Sequence, residues 1–294
     1  MTLQLGPVAI PPGFEGVRVG EVFAVARKAD MALAAGLAES ADGIQDWYGL
    51  GRRGAGEVRL IVTRGGRGDG LIRDRLPSWG AGFTIPAART ILIRADAGDP
   101  FRILRHELAH LVLADAIQAR VPLWFSEGYA VVAAGELSRL ARLRLNLSVA
   151  RGDIPGFFEL DRALRGSEPA AEAAYALAGT AVALMARRHP DRSLTPLLGR
   201  LEAGEGFEAA VLATTGSPLG RFEVEWQRDV KRRYGLFGWV MAGGLWALAA
   251  VGVLAALWLR RRRDRPRRLA LDQGWVIEPD DPAPPALDER GSAP

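Results

Sequence analysis

The segment Leu104-Arg105-His106-Glu107-Leu108-Ala109-His110 sets two histidines four residues apart, with a glutamate beside the first. On an α-helix such positions lie one turn apart on one face, so both imidazoles can reach a single metal ion. The flanks support a helix. Asp99 suits an N-cap and Pro100 the first helical position, while Phe101, Leu104, Leu108, Leu111 and Val112 form an apolar face at three-to-four spacing. The chain has three histidines, and two of them stand here. Glu107 is placed to take a proton from a metal-bound water, the arrangement that zinc-dependent hydrolysis needs.

A catalytic zinc site normally has three protein ligands and a position open to water. The third histidine, His189, precedes Pro190 at the expected end of a later helix and reads as a C-terminal dipole or surface residue. Downstream of the motif runs Pro122-Leu123-Trp124-Phe125-Ser126-Glu127-Gly128-Tyr129-Ala130. The gap from His110 to Glu127 allows one helix to end, the chain to turn, and a second helix to pack on the first. Glu127 would then face the histidines. Taken alone, a helical glutamate is most often exposed, but Trp124, Phe125, Tyr129, Val131 and Val132 mark a segment that packs inward.

The two motifs H-E-L-A-H and P-L-W-F-S-E-G-Y-A resemble those of the gluzincin metallopeptidases, in particular the bacterial peptidase MA-like domains. Ser78 to Phe83, Thr90 to Ile93, and the helix opened by Tyr175 are also similar. The resemblance covers roughly residues 17–234. It implies an α+β zincin-like domain with a small sheet, an active-site helix and a helical C-terminal half. It further implies one zinc ion per chain on His106, His110 and Glu127, Glu107 as general base, and a peptide or protein substrate. Gluzincins commonly place a Tyr or His from a later helix at the oxyanion; Tyr175 matches that position, with Tyr129 as the alternative. One departure stands out. Where several gluzincins carry an acidic residue four after the ligand glutamate, this chain has Val131.

Leu236 to Leu259 runs 24 residues without a charge, enough as a helix to exceed a hydrocarbon core of about 30 Å. Trp239 and Trp258 sit near its ends as interfacial anchors do. The expected organisation is therefore an N-terminal segment (1–16), the zincin-like domain (17–234), one transmembrane helix (236–259), and a basic flank with a disordered tail (260–294). Arg260 to Arg268 holds seven arginines and one aspartate. The positive-inside rule then points to a cytoplasmic C-terminus and an extracytoplasmic catalytic domain in a bacterial cell membrane. Residues 1–20 lack a secretory signal, which calls for a start further upstream or for a cytosolic, tail-anchored domain.

The net charge of +4 does not indicate nucleic-acid binding. The basic flank alone contributes +6, seven minus one, and leaves the rest at −2. The absence of cysteine excludes thiolate metal sites and disulfides. Val17 to Glu39 reads as an Ala-rich helix, Glu57 to Thr63 as a strand, Gly65 to Gly70 as a loop, and Ala81 to Pro86 with Thr90 to Arg94 as a hairpin. Ala81–Ile85 or Ile91–Arg94 would serve as an edge strand for extended substrate. After Glu127 the pattern is helical to Tyr234, broken near Gly152, Gly166, Pro190, Gly204 and Gly216. The expected function is peptide hydrolysis. A non-catalytic partner-binding domain and a zinc hydrolase of a non-peptide amide are the alternatives.

Overall fold

A computed structural model describes residues 10, 12–64, 80–117, 119–136, 154–234 and 245–273. The chain divides into two compact units, Met1–Trp239 and Val240–Pro294. The first begins with a hairpin of β1 (Phe14–Val19) and β2 (Val22–Arg27). Gly20 turns it at a φ of +52°, close against Asp42, whose carboxylate accepts the Glu21 N–H at 3.0 Å. The helix expected over Val17–Glu39 is thus corrected to α1 (Met31–Ala41) alone. Alanine misled the reading: Val22, Ala24 and Ala26 alternate into the core as a strand, and small residues there let α1 lie close on β2.

A short hairpin follows, β3 (Ile44–Trp47) with β4 (Gly51–Gly54), then β5 (Val58–Thr63), β6 (Gly82–Ile85) and β7 (Thr90–Arg94). The larger sheet has the order β1-β2-β5-β7-β6, with β2, β5 and β7 parallel and both outer strands antiparallel to their neighbours. β7, between β5 and β6, buries Ile91, Leu92 and Ile93 in succession, as a strand covered on both faces does. β6 is an edge among the described strands, and its loop to β7 turns through Pro86–Ala88 as expected. The Gly65–Gly70 loop and Ser78-Trp79 lie outside the described residues.

Helix α2 (Pro100–Ala116) carries the paired histidines. The Asp99 carboxylate caps it, accepting the N–H groups of Phe101 at 3.1 Å and Arg102 at 3.5 Å. Leu104, Leu108, Leu111 and Val112 are buried, and the helix packs on α1, β6 and β7. Helix α3 (Leu123–Ala133) packs against α2 and lies on the long α5 (Glu168–Arg188). Between them comes α4 (Phe157–Leu164); α6 (Thr195–Glu202), α7 (Phe207–Thr215) and α8 (Leu219–Tyr234) complete the unit. The breaks expected at Gly166, Pro190, Gly204 and Gly216 coincide with helix ends, whereas Gly152 lies outside the described residues. An aromatic layer binds this half. Trp124 stacks on Phe157 at 3.9 Å between ring centroids, and Phe157 on Trp226 at 5.1 Å. The Trp226 indole N–H donates to Thr180 Oγ1 at 2.9 Å, which satisfies its one buried donor.

The second unit contains α9 (Leu245–Gln273). No helix among the described residues is long and apolar enough to cross a membrane. This corrects the expected fold, in which a transmembrane helix spanned 236–259, and with it the bacterial-membrane placement with an extracytoplasmic domain. The uncharged part of α9, Leu245 to Leu259, gives only about 22 Å at ~1.5 Å per residue before four arginines follow in a row. Residues 236–244 of the expected span, and the tail from 274, lie outside the described residues.

The α3–α5 contact depends on a missing side chain. A Cβ on Gly128 would stand 2.5 Å from the Ala178 carbonyl oxygen and 2.8 Å from Val182. Gly128→Ala should therefore destabilise the protein by about 1–3 kcal/mol. Gly199→Ala, in α6 with nothing within 4 Å, should instead stabilise by about 0.5–1 kcal/mol. Denaturant midpoints of the two variants measure the contrast.

Candidate metal centre

Helical geometry brings His106 and His110 to one face of α2, and α3 lays Glu127 across it. His106 Nε2 and His110 Nε2 are 3.3 Å apart. Glu127 Oε2 lies 3.4 Å from the first and 3.2 Å from the second. The three atoms form a nearly equilateral triangle, and together these residues could hold a metal ion. Tetrahedral ligands at the usual zinc distances, about 2.0–2.1 Å, stand roughly 3.3–3.4 Å from one another. The donor set fits zinc in both chemistry and spacing. His189 is not in this group; it ends α5 and has Asp191 as its neighbour at 3.5 Å.

The far nitrogen of each imidazole is also engaged. His106 Nδ1 lies 3.2 Å from Glu136 Oε2, and His110 Nδ1 lies 3.0 Å from Ser126 Oγ. Donation from Nδ1 leaves the Nε2 lone pair facing the centre and makes the ring a better ligand. Burial opposes a charge on His106, but the hydrogen bonds to Glu127 and Glu136 prevail and raise its pKa well above the ordinary range. Carboxylates that raise the affinity of His106 for a proton also raise it for a cation. Burial pushes the Glu127 carboxyl upward too, yet the His110 charge and the hydrogen bonds from both rings hold it far below the usual range.

Glu136 was not foreseen. The position four after Glu127 is Val131, which is buried, and the carboxylate comes instead from just beyond α3. There Gly135 adopts a φ of +69°, its N–H donates to the Val132 carbonyl, and the Glu136 N–H donates to that of Val131. This left-handed helix stop folds the chain back and delivers Glu136 to His106. The signal was present in Ala133-Ala134-Gly135-Glu136, read as a glycine C-cap followed by an acid.

Glu107 is buried beside the triangle, and an edge strand holds it. Thr84 Oγ1 lies 2.7 Å from Glu107 Oε2 and 3.0 Å from its backbone carbonyl. Two residues earlier on the same strand face, a Cβ on Gly82 would fall 2.6 Å from Glu107 Oε1. Burial raises the Glu107 pKa, while the two histidines and Thr84 hold the rise back. β6 therefore gives the carboxylate room at Gly82 and a hydroxyl at Thr84. β7 is hydrogen-bonded on both sides, to β5 and β6, so Ile91–Arg94 is excluded as an edge and Gly82–Ile85 remains.

These groups open into a cleft of about 590 Å³, with Leu113, Ile117 and Val121 among its apolar walls. Tyr175 lines it, with its ring centroid 6.1 Å from that of His106. Burial and the carboxylates of Glu127, Glu107 and Glu136 raise the Tyr175 pKa, so the phenol stays an O–H donor at neutral pH. Tyr129 is instead fully buried in the core, and its hydroxyl has no hydrogen-bond partner among the described residues.

A mixed sheet, a helix bearing the paired histidines beneath its edge strand, and a glutamate from the next helix define a zincin-like peptidase fold. The sequence profile of the peptidase MA superfamily matches residues 73–232, more than half of the chain, and the chain belongs to that superfamily. No curated protein matches it. Removing the outer carboxylate should weaken the centre without dismantling it. Glu136→Ala is expected to lower zinc affinity by about 10–100-fold, as read by competition with a chromogenic chelator, with an unchanged far-ultraviolet circular dichroism spectrum.

Proposed function

We propose that the protein is a zinc-dependent metallopeptidase that hydrolyses peptide bonds at this centre. The observation that carries the reading is the even spacing of the three donor atoms, with a buried carboxylate beside them in an open cleft. His106, His110 and Glu127 would hold the ion. When bound there, zinc supplies Lewis acidity toward a carbonyl oxygen and lowers the pKa of water at the site.

The remaining steps belong to the chain's own residues. Extended substrate would lie along β6, whose outer edge offers backbone donors and acceptors beside the cleft. Glu107 accepts the proton of the attacking water and passes it to the leaving amine. Its raised pKa brings it nearer the neutral range in which a carboxyl can both take and return a proton. Thr84 fixes the carboxyl group through Oε2, leaving Oε1 toward Gly82 for that exchange. Tyr175, held protonated, would donate to the oxygen that gains charge as the carbonyl is attacked.

Glu107→Gln is expected to retain one zinc per chain while losing about 10²–10⁴-fold in turnover of a fluorogenic peptide. His110→Ala should lose the metal. o-Phenanthroline should abolish wild-type turnover, and added zinc should restore it. Wild-type turnover by Glu107→Gln would contradict the general-base role. Zinc retention without hydrolysis of any peptide by the wild type would contradict the peptidase reading.

A further inference from the structure

The end of α5, the turn after it and helix α8 surround a second cleft of about 790 Å³ that shares no lining residue with the metal centre. Six arginines face it: Arg187, Arg188, Arg192, Arg228, Arg232 and Arg233. Phe222, Trp226 and Val230 are buried along α8 and fix its rotation. Among the described residues, the carboxylates in this lining are Glu225 and Asp229. Asp229 is shared by Arg187 at 3.0 Å, Arg232 at 3.1 Å and Arg233 at 2.9 Å. Glu225 is shared by Arg188 at 2.6 Å and Arg221 at 3.3 Å.

Five guanidinium groups thus divide two carboxylates, while Arg192 and Arg228 have no carboxylate partner among the described residues. Six lining arginines against two acids leave four positive charges in excess around one concavity. Arg192 also stands at a φ of +51°, a backbone region uncommon for residues other than glycine. Its N–H donates to the His189 carbonyl at 2.9 Å, closing a turn just after α5. Burial and the nearby Arg233 both lower the Arg187 pKa, a sign that the positive charges here repel one another. A solvated helix face with one-to-one ion pairs would show none of this imbalance.

We propose that this arginine cleft binds a multivalent oxyanion of the phosphoryl class. Guanidinium groups present paired N–H donors that match phosphoryl oxygens, and the shared carboxylates hold four of the six in place before any ligand arrives. The same chemistry is offered by free phosphates and by phosphorylated headgroups, so the test needs both.

Calorimetric titration of the full chain with inorganic pyrophosphate, and co-sedimentation with phosphatidylglycerol or phosphatidylcholine vesicles, supply the two arms. Saturable pyrophosphate binding assigns a free phosphate, and binding to phosphatidylglycerol vesicles alone assigns a headgroup; either supports the site. The double variant Arg192→Gln/Arg228→Gln removes the two cations that have no carboxylate partner among the described residues, and should weaken binding at least about tenfold, with an unchanged melting temperature. Arg102→Gln/Arg120→Gln, which lowers the net charge equally outside the cleft, should bind as wild type. Absence of binding in both arms, or equal weakening in the two double variants, would overturn the proposal.

Discussion

Three donor atoms from two helices meet within 3.2–3.4 Å of one another, close enough to share one cation or a ring proton. This convergence of His106, His110 and Glu127 is the constraint from which most of the described fold can be understood. Two of the atoms come from one helix and need only its 3.6-residue period. The third comes from α3 and depends on how that helix packs. Gly128 directly follows Glu127 and lets α3 meet α5 with a carbonyl in the place a side chain would fill. Trp124 and Phe125, on the same helix, anchor it in the aromatic layer with Phe157 and Phe207. The apolar core and the polar centre therefore share a helix, and a shift of α3 would disturb both.

Around the triangle, each group is oriented by a neighbour from a different element. Glu136 comes from the turn after α3, Ser126 from α3 itself, and Thr84 from β6. Positioning of this kind limits the rotations open to each ring and carboxylate, and a metal centre gains both affinity and basicity from it. It also explains why the sheet edge matters to the chemistry. β6 lines the cleft and holds Glu107 at the same time, so a substrate pairing with that strand would meet the carboxylate in a fixed geometry.

Much of this was legible in the sequence because several local signals agreed. For α2, the cap at Asp99, the proline at Pro100, the apolar period and the histidine spacing all specify one helix in one orientation. The hairpin around Pro86–Ala88 and the glycine and proline breaks between later helices were readable for the same reason. The first hairpin was not, because Ala24 and Ala26 fit a helix as readily as a strand, and only the pairing with β5 decides between them. Thr84 and Glu136 were hidden for a different reason. Their roles arise from contacts across 23 and 30 positions of sequence, which local periodicity does not encode. The apolar run after Leu236 pointed to a membrane span, but the described helix α9 meets Arg260 after too few uncharged residues.

Two imidazoles and one carboxylate are expected to bind a single zinc ion. X-ray absorption at the zinc edge on the full chain tests this most directly. One zinc per chain is expected, with two imidazole nitrogens and an oxygen-only remainder at about 2.0–2.2 Å. Glu127→Ala should alter the oxygen shell while both imidazoles stay bound, or release the metal. Zinc held without two imidazoles, or a coordination shell unchanged by Glu127→Ala, would contradict it.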